Sequence, residues 1–208
     1  ICENAFSDCE NLRKVSIPPN SNLQTIESDA FYNTKIEEIY FPPNLKELKE
    51  GWCCNTDELT KIIISPSNCQ FKFIDDKYLI GKSNSNNDEF DTLLFVRRDI
   101  NEISIPTNIK IISSYAFYEC KNLTQVLIPP NSNLQTIGKY AFSNTNIEEI
   151  FIPSKVSKIC KGAFDECKNL TKVLIPTNSN LQTIEANAFS YTKIEEMYFP
   201  SNLKELKE

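Results

Sequence analysis

The chain has 208 residues, 22 Lys and Arg against 28 Asp and Glu, a formal net charge of −6 and a sequence pI near 4.9. That length fits one domain or two, its hydrophobic content suffices for a core, and an acidic chain without a basic block is poorly suited to nucleic acid or anionic lipid, which are held mainly through Lys and Arg. Histidine is absent, which removes Ser-His-Asp and Cys-His nucleophile pairs, His-ligated zinc and histidine acid–base catalysis, and the four scattered glycines (51, 81, 138 and 162) cannot form a phosphate loop.

Along the chain, short apolar runs recur, each closed by Pro: Val15–Pro18, Ile39–Pro42, Ile103–Pro106, Val126–Pro129, Ile150–Pro153, Val173–Pro176 and Met197–Pro200, with Ile62–Ser65 as the form lacking Pro. β-Branched and aromatic residues in runs of this length predict strands, and Pro, which has no amide hydrogen for a ladder, ends each one. A second short segment follows at 23–26, 45–48, 109–112, 134–137, 156–159, 181–184 and 203–206, apolar at both ends. Between segment and next strand stands Ala-Phe, at 5–6, 30–31, 116–117, 141–142, 163–164 and 188–189, with Trp52-Cys53 in the same frame.

Phe117, Phe142, Phe164 and Phe189 are spaced 25, 22 and 25 residues apart, so two unit types alternate in a 47-residue couple. A shift of 158 residues lays Ile1–Glu50 on Ile159–Glu208 with 36 of 50 positions identical. A unit this short cannot bury its own apolar face, so the units must stack, each adding a strand at about 4.8 Å to one parallel sheet. Both ends fall inside a repeat, which predicts a fragment of a longer array with frayed ends and end-to-end self-association between copies. No apolar run approaches the roughly 18 residues of a spanning helix, so no membrane insertion is expected within the fragment.

One step between strand starts is 41 residues rather than 23 or 24, an insertion of about 17 residues between Ile64 and Ile103. Phe71–Ile74, Tyr78–Ile80 and Leu93–Val96 read as extra strands around a polar tip, Ser83–Glu89. The plain expectation is a β-hairpin thickening one edge; a recognition loop is the alternative. Asp75, Asp76, Asp88, Glu89 and Asp91 invite a calcium reading, but the spaced Asp-x-Asp-x-Asp-Gly loop is missing, and no metal or cofactor is assigned.

Cys9, Cys120 and Cys167 share a repeat position occupied elsewhere by Thr34, Thr56, Thr145 and Thr192, and read as small core thiols. Cys2 and Cys160 share another. Cys53, Cys54 and Cys69 follow no repeat, leaving a bridge from Cys69 to Cys53 or Cys54 open. Asn122 and Asn169 head Asn-Leu-Thr sequons; they are glycosylation candidates or simply turn-favouring Asn before a strand.

Alternation within each strand points Ser16, Tyr40, Ile63, Ser104, Leu127, Phe151, Leu174 and Tyr198 outward, beside a second outward column of Lys14, Glu38, Lys61, Glu102, Gln125, Glu149, Lys172 and Glu196. Tyr40, Ile63, Leu127, Phe151, Leu174 and Tyr198 therefore form the candidate protein-binding stripe on the concave face, although adjacent rungs packing on one another would also account for it. Acidic pairs such as Glu37-Glu38 and Glu148-Glu149 recur with the repeat, whereas a catalytic site is expected once, so no enzyme activity is assigned.

The units Ile112–Pro129 and Ile159–Pro176, of form Ile-x-x-x-Ala-Phe-x-x-Cys-x-x-Leu-x-x-Val-x-Ile-Pro, resemble the BspA-like (Treponema pallidum type) leucine-rich repeats. The resemblance implies a single leucine-rich-repeat solenoid over 1–208, mainly β: a curved, right-handed parallel β-solenoid with short or irregular convex segments and one inserted hairpin, residues 65–102 being the irregular unit. It also implies a secreted or cell-surface adhesin or antigen gripping a host matrix or cell-surface protein. A cytosolic scaffold with an intracellular protein partner is the alternative.

Overall fold

A computed structural model of the chain describes residues 1–84 and 88–207. Its regular elements are all strands: β1 (Thr25–Ile26), β2 (Glu38–Phe41), β3 (Glu47–Leu48), β4 (Lys61–Ile64), β5 (Phe71–Ile74), β6 (Tyr78–Gly81), β7 (Thr92–Val96), β8 (Glu102–Ser104), β9 (Ile111–Ile112), β10 (Gln125–Leu127), β11 (Thr136–Ile137), β12 (Glu149–Phe151), β13 (Lys158–Ile159), β14 (Lys172–Leu174), β15 (Thr183–Ile184) and β16 (Glu205–Leu206). They wind into a β-solenoid of about eight turns.

The two strand families pair differently. The Pro-closed strands do not form one continuous sheet; they pair in parallel twos, β2 with β4, β8 with β10 and β12 with β14, so this face follows the 47-residue couple rather than the single unit. In the first turn the pairing shrinks to a Lys14–Glu38 bridge, and Met197–Phe199 has no strand at all. The second segments, expected to be short or irregular, are short strands: β1 pairs with β3 in parallel, and the segments from β9 onward carry a long ladder. From β16 through β15, β13, β11 and β9 to β7 it is parallel, and it ends in the antiparallel β6 and β5.

The insertion is thus a three-stranded meander built into the ladder. Asp75 and Asp76, both at φ 51, form the tight turn between β5 and β6, where two consecutive left-handed residues match the twist of a hairpin. Residues 85–87 of the expected polar tip lie outside the described residues. Four of four positions in β6 and four of five in β7 are buried, because both faces of the meander are covered. Leu79 and Phe95 belong to the core of the first turns, with Phe31, Phe41 and Trp52, while Tyr78, Ile80, Leu93 and Val96 belong to the core of the later ones. The meander is a septum between two cores.

Opposite the Pro-closed strands the Ala-Phe pairs close each turn. Phe31, Phe117, Phe142 and Phe164 are fully buried, and the rings of Phe117, Phe142, Phe164 and Phe189 stack at 4.5, 5.1 and 5.1 Å. Each pair lies between two left-handed residues, one just before Ala and one two after Phe. Asn, Asp and Gly supply most of them, as at Asn4 and Asp8, Asp29 and Asn33, or Gly51 and Asn55, because these residues enter that region at least cost. The turn is then tied by the Thr/Cys column: Thr34, Thr56 and Thr145 donate their hydroxyls to the carbonyls of Phe31, Cys53 and Phe142, and Cys167 Sγ lies 3.0 Å from the Phe142 carbonyl. Cys120 and Cys167 are buried there as expected, whereas Cys9 is exposed, because the first turn is covered by a neighbour on one side only.

Candidate functional site

The outward columns stand as the alternation of the strands dictates. In β8, β10, β12 and β14 the middle residue is buried and its neighbours face out. Leu127 is 61% exposed and Tyr198 77%; Ile63 and Leu174 are exposed, and Tyr40 and Phe151 half-buried. Pairing brings Tyr40 beside Ile63 and Phe151 beside Leu174, giving apolar dyads, while Leu127 stands against Ser104. Beside them Lys61 pairs with Glu38 and Lys172 with Glu149 at 3.2 Å. Exposed pairs of this kind add little stability, so they fix side-chain positions at the rim more than they hold the fold.

Asn122 and Asn169 are both exposed. The Asn169 amide donates to Asn146 Oδ1 at 3.2 Å, while Thr124 and Thr171 donate to the carbonyls of Asn101 and Glu148. All eight cysteines are free: Cys69 is exposed and Cys53 and Cys54 are buried, so the conceivable bridge is not formed. Burial pushes the Cys53 thiol up to about 12 despite the nearby Arg98. Among the described residues no group of three or more Cys, Asp and Glu converges as a metal site. Of the acidic residues in the insertion, Asp75 and Asp76 make the turn. Asp91 is buried and accepts hydrogen bonds from Ser83 N and Oγ, with Lys110 3.6 Å away.

Two features escaped the repeat pattern because they lie where it breaks. Arg98 is buried and among the described residues has no carboxylate partner; its guanidinium donates to the carbonyls of Val96, Ala116 and Tyr115 and stacks on Phe95 at 4.9 Å. Around the corner lies a cleft of about 370 Å³ lined by Asn4, Ser7, Asp29, Tyr32, Cys54, Tyr115 and Tyr118. Tyr115 and Tyr140 occupy the left-handed position before Ala-Phe, at φ 61 and 50, where other turns place Asn, Asp or Gly. Their rings stack at 5.5 Å, and Tyr118 meets Tyr115 edge-on at 5.5 Å. The legible signal was the Tyr itself, a bulky residue in a slot otherwise kept for small polar ones.

Stacked short strands, an Ala-Phe spine and an outward apolar column define a solenoid of the leucine-rich-repeat class. The BspA type leucine rich repeat profile matches residues 1–85 and 88–208 in six copies, and the chain belongs to that family. No curated protein sequence is significantly similar. Among solved structures the chain is similar to a leucine rich cell surface protein from Faecalibacterium prausnitzii (TM-score 0.65, 20% identity, 91% of this chain and 59% of that one). It is also similar to the pneumococcal vaccine antigen PcpA (0.68, 18%, 97% and 58%). A third is a leucine-rich repeat protein from Eubacterium ventriosum (0.57, 19%, 95% and 63%). The chain spans less than two thirds of each of these proteins, and at such identities the likeness concerns the fold.

Proposed function

We propose that this chain is a non-enzymatic protein-binding module of a secreted or cell-surface protein, and that its Pro-closed strand face grips a host matrix or cell-surface protein through Tyr40, Ile63, Leu127, Phe151, Leu174 and Tyr198. The observation that carries the reading is the exposure of large apolar side chains in register along one face, bordered by a charged column. Apolar and aromatic side chains so arranged supply the buried centre of an interface, and the charged column its polar rim. The BspA-type repeat family is in general non-enzymatic, and the structural neighbours named as a cell surface protein and a vaccine antigen support an exposed location. The exposed Asn122 and Asn169 are the glycosylation candidates on the same reading, testable by mass spectrometry of the protein from its native source.

The test is capture of immobilised matrix proteins and epithelial cells by the wild type and by Tyr40→Ser with Phe151→Ser. Capture by the wild type, weakened at least about tenfold in the double variant while the circular dichroism stays folded, supports the strand face. Unchanged capture removes this face.

A further inference from the structure

We propose that the tyrosine-walled cleft beside the septum is a receptor for a single basic side chain, the ammonium of a lysine or guanidinium of an arginine on a protein partner. This rests on the reading of the chain as a protein-binding module but uses a different surface.

Three rings face the cleft: Tyr32, Tyr115 and Tyr118. Tyr115 is held by Tyr118 edge-on and by Tyr140 on its face, and the Tyr140 ring packs so closely over Gly162 that a Cβ there would come within 2.3 Å of it. Tyr115 and Tyr118 are therefore fixed by their surroundings, while Tyr32 is exposed at the opening. Asn4 and Ser7 also line the cleft, and its charged group is Asp29, half-buried, whose Oδ1 lies over Gly51, 2.8 Å from where a Cβ would stand. Among the described residues Asp29 has no ion pair or side-chain hydrogen bond, and no Lys or Arg lines the cleft. Burial, then Glu3 and Glu50, raise its carboxyl, the response of a carboxylate deprived of a counter-charge. Glu50, whose charge reaches Asp29, is anchored by Ser114 and by Lys139 at 3.1 Å. The buried Arg98 lies behind Cys54, its Nη1 and Nη2 turned to backbone carbonyls and to Cys120 Sγ.

Aromatic faces carry negative potential, and several rings around one half-buried carboxylate attract an organic cation more than a neutral group. A lysine or arginine side chain supplies the charge for Asp29 and the alkyl or planar surface for the rings. A carboxylate or phosphate would meet Asp29, Glu3 and Glu50 of its own sign.

The probes are N-acetyl-lysine amide and N-acetyl-arginine amide, with N-acetyl-norleucine amide as the uncharged analogue, titrated while the tyrosine ring resonances are followed by NMR. Saturable shifts of Tyr32, Tyr115 and Tyr118 with the basic amides, absent with norleucine, are expected. Asp29→Asn, which keeps size and favours the same backbone conformation, and Tyr32→Leu, which keeps bulk without the ring quadrupole, should each weaken binding about tenfold. Equal response to norleucine, preference for an uncharged disaccharide, or unchanged affinity in Asp29→Asn overturns the assignment. Tyr40→Ser with Phe151→Ser should leave these titrations unaltered, so failure of the strand face and failure of the cleft are read separately.

Discussion

Within each turn, single positions decide whether the chain can close. Gly162 holds φ 61 directly under the Tyr140 ring, so Gly162→Ala meets both backbone strain and a contact that the stacked ring cannot yield. A loss of about 2 kcal/mol, measured by chemical denaturation, is expected, several times that of a surface substitution. The cysteines separate by burial. Cys2, Cys9 and Cys69 are exposed and should react with a thiol reagent in the native protein, whereas Cys53, Cys54, Cys120, Cys160 and Cys167 should react only after unfolding. Burial raises Cys53 and Cys120, the opposite of what a reactive thiolate needs. Fast labelling of more than three thiols would contradict this placement.

At the scale of the element, the Phe spine joins one turn to the next. Phe142 is sandwiched between Phe117 at 4.5 Å and Phe164 at 5.1 Å and is fully buried, whereas Phe6 has one stacking partner and is half-buried. Phe142→Ala should cost about 3–5 kcal/mol, and Phe6→Ala about a third of that, both read from denaturant midpoints. In the sequence the ladder segments are only short apolar-ended pieces; their regular pairing depends on neighbours 22 and 25 residues away, a long-range hydrogen-bond geometry that two-residue strands do not announce. Likewise the continuous apolar runs of β6 and β7 fit a hairpin on an edge and a sheet buried on both faces equally well, and only the surrounding packing chooses between them.

For the whole molecule, the septum makes two cores where the repeat predicts one. Leu79 faces the first core, with Phe71, Phe95 and Trp52, while its neighbours Tyr78 and Ile80 face the second. Leu79→Ala should destabilise the first turns by about 2–4 kcal/mol and leave the later ones nearly intact. Because Trp52 is the single tryptophan and sits in the first core, its fluorescence should then unfold at lower denaturant than the far-UV circular dichroism. Coincident transitions would show that the two cores cooperate across the septum.

Local sequence by itself determined the unit, the inward and outward faces of the inner Pro-closed strands and the Ala-Phe spine, because side-chain alternation and repeat spacing are properties of neighbouring residues; at Met197–Pro200, where no strand forms, Phe199 is exposed. The tertiary structure decided what happens where the repeat is interrupted: the septum, the buried Arg98 and the tyrosine cleft around Asp29. Those depend on residues far apart in the chain, whose meeting follows from how successive turns stack and which gaps the inserted strands leave to be filled.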